Sequence, residues 1–212
     1  MKTNDLITAL VADRGARPMK PRDAVMAAVA AGAAIAAILF FSILGSRPDI
    51  ATAAETYRFL FKFVVTLTLA LSAIALALQV LRPEVSLGRR LWLIAIAPVL
   101  LLLAAAAELV VMPSSTWMPR LIGHNMRFCL TMIPLLSIAP LAAFLWALRQ
   151  GAPANPGLAG ALAGLAAGGI AATFYASHCT DDSPLFVMTW YSLAIGLVTV
   201  AGYFAGRRWL AW

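Results

Sequence analysis

The residues of this chain best suited to redox chemistry or to soft metal ions are its two cysteines, Cys129 and Cys179, and its two histidines, His124 and His178. Thiolate and imidazole bind soft ions, and two thiols can also close to a disulfide. His124 stands shortly before Cys129, and His178 is adjacent to Cys179. Asp181 and Asp182 follow at once. No phosphate-binding glycine loop, Cys-x-x-Cys pair, His-Glu-x-x-His helix or Ser/His/Asp arrangement is readable. The sequence therefore predicts no catalytic residue, no enzyme and no resident cofactor. Transient soft-metal binding by Cys129, Cys179, His178 and His124 is the one candidate metal site.

The elements that must position these residues follow from composition. The chain has 212 residues, 62% hydrophobic and 12% charged, against about a quarter charged in a soluble domain. Six stretches are free of Asp, Glu, Lys and Arg: 24–46, 63–81, 91–107, 128–148, 150–180 and 183–206. A helix needs about 20 apolar residues to cross a bilayer. The fifth stretch opens on Gln150-Gly151-Ala152-Pro153-Ala154-Asn155-Pro156, a turn, so its helix is predicted to start near Gly157. The stretches are continuous rather than alternating, which favours helices over barrel strands. The predicted fold is all-α: a polytopic membrane protein of six transmembrane helices. The first span is too long and too far from Met1 for a cleaved signal peptide and reads as a retained signal-anchor. Residues 1–23 form an N-terminal tail, 24–206 the bundle and 207–212 a C-terminal tail.

With the N-terminus cytoplasmic, 11 of the 16 Lys and Arg fall inside and 5 outside. The positive-inside rule thus predicts both termini in the cytoplasm. Trp92, Trp146 and Trp209 fall at inner boundaries, and Trp117 and Tyr57 near outer ones. In this topology Cys129 opens the fourth span and Cys179 closes the fifth. Each of these spans is about 30 Å long at 1.5 Å per residue, so both sulfurs reach the outer rim with both histidines. The alternative is that each cysteine is only a small buried hydrophobe. Cys129, at a helix N-terminus near Arg127, is predicted to be the readier thiolate. Cys179, at a helix C-terminus beside two aspartates, would then resolve. Lys62 and Glu108 lie close to span ends and are expected to snorkel toward the interface.

Further residues carry structural expectations. Ser183 or Asp182 can cap the sixth helix, with Pro184 in its first turn. Gly160, Gly164 and Gly168 form one smooth helix face for close packing. Pro98, Pro134 and Pro140 could kink their spans. In the tail, Leu6, Ile7, Leu10 and Val11 form a stripe at helical spacing. Thr3 or Asn4 could cap that helix, Asp5 suits its first turn, and Gly15 and Pro18 end it. So short a helix needs a partner surface or the membrane.

The stretch His178-Cys179-Thr180-Asp181-Asp182-Ser183-Pro184-Leu185-Phe186, with Trp190-Tyr191 behind it, resembles the signature of the NrsF family of bacterial membrane anti-sigma factors. Cys129 matches that family's other cysteine, and Asp5-Leu6-Ile7 with Leu10 and Asp13 resembles its N-terminal motif. The resemblance implies a protein of the bacterial inner membrane that holds an extracytoplasmic-function sigma factor away from RNA polymerase. It further implies release under stress such as heavy metals or oxidation, with Cys129 and Cys179 as the sensor pair. Asp5, Leu6, Ile7 and Leu10 would lie in the sigma-binding segment. The implied partners are the sigma factor and the lipid bilayer, with no direct contact to nucleic acid. A membrane thiol oxidoreductase, or a metal-binding membrane protein using the same cysteines, is the rival reading.

Overall fold

The computed structural model describes residues 19–81 and 88–211. The predicted tail motif, Asp5, Leu6, Ile7 and Leu10, lies outside the described residues. Six long helices dominate the described chain, with short helical segments in the connections: α1 (Pro21–Ile43), α2 (Tyr57–Val80), α3 (Trp92–Val111), α4 (Met126–Leu148), α5 (Pro156–Ala176) and α6 (Pro184–Trp209). All six are long and apolar enough to cross a membrane, and no strand occurs among the described residues.

The local chemistry explains the boundaries. Asn155 caps α5, its side-chain oxygen accepting the Leu158 N–H at 3.0 Å, and Pro156 fills the first turn, where a missing N–H costs nothing. Thr56 caps α2 by accepting the Phe59 N–H at 3.4 Å. α2 therefore starts at Tyr57, well before the charge-free stretch, and takes Arg58 and Lys62 into the helix. Pro98 and the pair Pro134 and Pro140 lie inside α3 and α4. α6 contains one wide turn, a π-helical segment at Val187–Tyr191.

α5 is the most enclosed of the spans, and it packs on α6, α2, α4 and α1. It can be central because one side is nearly all Ala and Gly. In lipid there is little hydrophobic drive between helices, so close backbone approach must supply the attraction. Gly160 lies against the Gly202 carbonyl and Gly206, and Gly164 against Val198 and Thr199 of α6. The predicted glycine face is thus the α5–α6 contact. Gly160→Ala would drive a methyl into the facing backbone and is expected to cost about 2 kcal/mol. Gly196→Ala in α6 meets nothing within 4 Å and should gain up to about 1 kcal/mol from helix propensity. Thermal unfolding of the purified protein, with the two substitutions shifting Tm in opposite directions, checks both.

Candidate functional site

The segment between α5 and α6 is held by residues of α2 and α3 and by residues next to the ends of α1 and α4. The Arg47 N–H, beyond the end of α1, donates to the Ser177 carbonyl at 3.0 Å. The His178 Nδ1 sits 3.0 Å from the Gly45 carbonyl. The Lys62 ammonium of α2 donates to the Cys179 carbonyl at 2.8 Å and meets Asp182 at 2.6 Å. Arg47 holds the other Asp182 oxygen at 2.9 Å and also grips Asp49 at 2.7 Å. That grip holds the Asp49 carboxyl below its usual range. Asp181 accepts the backbone N–H groups of His124 and Asn125 at 3.0 and 2.8 Å, and the Asn125 side chain at 3.0 Å. It thereby satisfies donors just before α4.

Glu108 of α3 completes the clamp. One oxygen accepts the Ser183 hydroxyl at 2.6 Å and the Leu185 N–H at 3.3 Å. The other meets Arg120 at 3.0 Å and Arg58 at 3.4 Å. Lys62 is 0% and Glu108 5% exposed, so the expected snorkelling does not occur for either. Each finds a partner far along the chain, and a buried charge with such partners is tolerated where a lone one is not. Ser183 is the N-cap residue of α6, with Pro184 behind it as predicted, but its hydroxyl serves Glu108 rather than the helix.

Both thiols lie in the apolar layer next to this loop. Both are free, both are fully buried, and they share one apolar cluster with Tyr175, Phe186 and Tyr191. The basis for a more reactive Cys129 is gone. Arg127 is exposed on another side of α4, and the Cys129 N–H already bonds the Asn125 carbonyl at 2.8 Å. Burial pushes the Cys179 thiol up from its ordinary value, against the pull of the Lys62 ammonium. His124 does not join them: its side chain is 96% exposed, 3.7 Å from Asp181. His178 is directed to Gly45. Among the described residues no group of three His, Cys, Asp or Glu is placed to hold a metal ion, so of the four candidate donors the site gathers only the thiols.

Sequence reasoning missed two neighbours. The Tyr175 and Tyr191 rings meet at a tilt of 55° with 5.8 Å between centroids, and their buried hydroxyls have no hydrogen-bond partner among the described residues. Tyr191 was visible as part of the Trp190-Tyr191 signature; Tyr175 carried no signal. Enclosure of the thiols has a measurable consequence. Maleimide should label Cys129 and Cys179 at least tenfold more slowly in the folded protein than after denaturation, since the thiolate is the nucleophile and burial opposes it. Labelling of Cys179 should rise only at pH above the ordinary thiol range, as expected for a raised pKa.

Fold and site together define an all-helical bundle of the membrane-spanning type, with its polar chemistry concentrated in one loop at one end. The chain belongs to the NrsF family: the family described as "Negative regulator of sigma F" matches residues 10–212. The anti-sigma-F factor NrsF of Caulobacter vibrioides (strain NA1000 / CB15N) is 37% identical, with 100% of each chain covered. The probable anti-sigma-F factor NrsF of Azospira oryzae (strain ATCC BAA-33 / DSM 13638 / PS) is 32% identical, also over 100% of each chain. No solved structure matches this chain.

Proposed function

We propose that this protein is an inner-membrane anti-sigma factor that sequesters an extracytoplasmic-function sigma factor through residues 1–23 and releases it when Cys129 and Cys179 change state. Family membership and the full-length relatives support the anti-sigma role. Asp5, Leu6, Ile7 and Leu10 supply the binding segment. The cysteine rim faces outward and both termini face the cytoplasm. Of the five cations assigned to the outer side, Arg47, Arg58, Lys62 and Arg120 are matched by Asp49, Asp182 and Glu108. The cations at the opposite end are then the ones that set orientation.

One observation carries the sensing part: the backbone carbonyl of Cys179 is gripped by Lys62 of α2. A change at this cysteine's sulfur therefore strains a bond to a membrane-spanning helix. Two chemistries fit the thiol pair. In one, a peroxide-class oxidant takes two electrons, both S–H bonds break, one S–S bond forms and two protons leave. In the other, a soft divalent ion binds both sulfurs and displaces two protons. Either draws the sulfurs together in a packed cluster with little room to yield.

The test is co-purification of sigma factors with the detergent-solubilised protein, with and without residues 1–18. Specific capture by the full chain, lost on truncation, is the expected result. Peroxide or cadmium should then release the sigma factor from the full chain but not from Cys129→Ser/Cys179→Ser. If the intact protein captures no sigma factor, the anti-sigma reading fails and the thiol oxidoreductase reading moves ahead of it.

A further inference from the structure

Two hollows lie one below the other along α2 and α3, the upper at the rim and the lower inside the bundle. Arg58 and Glu108 stand at the head of the upper hollow, and its walls below them are Phe61 of α2 and Ala104 and Ala107 of α3. Deeper, α2, α3, α5 and α6 line a partly open apolar cavity of about 420 Å³, walled by residues including Val65, Leu69, Leu101 and Gly196. That is a ligand-sized volume. Phe61 of the upper hollow and Val65 and Leu69 of the lower one follow each other at four-residue spacing along α2. From Arg58 to Leu69 is about 16 Å at 1.5 Å per residue, the depth of about half a bilayer's 30 Å hydrocarbon core.

Three observations indicate that the space is meant to be filled. Among the glycines of α5 and α6, Gly196 alone faces open space; each of the others lies against a neighbour. A glycine within a helix costs stability unless something needs the room. The wide turn of α6 puts Val187 and Tyr191 on the cavity wall, and such turns cluster at functional sites. At the head, the Arg58 side chain is 40% exposed, and its 3.4 Å contact to Glu108 is longer than the 3.0 Å contact of Arg120. Arg58 can therefore turn to another anion while Glu108 keeps Arg120, Ser183 and Leu185.

We propose that the two hollows together form one phospholipid site, with one acyl chain in the cavity between α2, α3, α5 and α6 and the phosphodiester on the Arg58 guanidinium. A guanidinium at interface depth above an apolar slot of one leaflet's length matches a lipid's own distribution of charge and hydrocarbon. Tyr191 lines the cavity and also belongs to the thiol cluster, so the lipid touches a residue of the sensor site. The site stands independently of the anti-sigma reading, because lipid binding is measured directly and needs no sigma factor.

Native mass spectrometry of the delipidated full-length protein, titrated with dioleoyl phosphatidylglycerol, tests it. One phospholipid should bind to the wild type well above the background set by the annular lipids. Arg58→Gln should weaken that binding roughly fivefold, and Arg58→Lys should recover most of it. Gly196→Phe should abolish it by filling the cavity, while its melting transition stays cooperative because a Cβ there meets nothing within 4 Å; Gly196→Leu provides the same reading with a smaller group. Dioleoylglycerol, with the same chains and no phosphate, should bind at least fivefold more weakly. Wild-type affinity in Arg58→Gln and in a folded Gly196 variant, or equal binding of dioleoylglycerol, would overturn the proposal.

Discussion

Lys62→Met should destabilise the bundle by about 3–4 kcal/mol and turn the regulator permanently off, so that sigma-dependent transcription runs without any inducer. Removing one member of a buried ion pair costs about 3–5 kcal/mol, because the other is left desolvated. The lower part of that range applies because Arg47 still covers one oxygen of Asp182, at 2.9 Å. What remains unserved is the second Asp182 oxygen and the Cys179 carbonyl, which Lys62 meets at 2.6 and 2.8 Å. The added substitution Asp182→Asn removes the orphaned charge and should return part of the loss; that coupling separates the pair from mere loss of packing. Thermal unfolding and a reporter of the sigma factor's transcription read the two effects. Wild-type stability in Lys62→Met would remove the clamp from the account.

Glu108→Leu is the second large effect, expected at about 3 kcal/mol. It strands the Ser183 hydroxyl and the Leu185 N–H, both buried and both served by one carboxylate oxygen. Each orphaned donor costs about 1–3 kcal/mol. Arg58 and Arg120 contribute less, since their side chains are 40% and 30% exposed and can turn to water. Glu108→Gln keeps an acceptor for Ser183 and should lose less than half as much. Equal losses in the two variants would show that charge, not hydrogen bonding, is what Glu108 supplies.

The six spans were legible because continuous apolar runs of bilayer length leave few other folds open. The glycine face at Gly160 and Gly164 was legible too, since spacing by four residues marks one side of a helix whatever it packs on. The clamp was not. A charge near a span end reads as snorkelling when only its own helix is visible, and the partners of Lys62 and Glu108 lie 117 and 75 residues away. The same blindness misjudged the thiols. A helix N-terminus and Arg127 suggested a reactive Cys129, but burial on the inward side of α4 is a property of the assembled bundle. Asp182 looked like a local capping group and Asp181 like a charge beside Cys179, whereas Asp182 binds α2 and Asp181 binds the start of α4.

The clamp also sets a timetable for biosynthesis. A ribosome delivers Arg47 and Lys62 early and their partners Cys179 and Asp182 more than a hundred residues later. Until the fifth span and the loop after it have emerged, Lys62 sits in an apolar helix with no counter-ion, at a cost of several kcal/mol. The second span should therefore stay shallow or hydrated, with its lysine still reaching water, until that loop arrives to draw it into place. A nascent chain arrested before residue 179 would be a set of inserted helices without a closed rim, distinguishable from the finished protein by the accessibility of Lys62 to an amine-reactive probe.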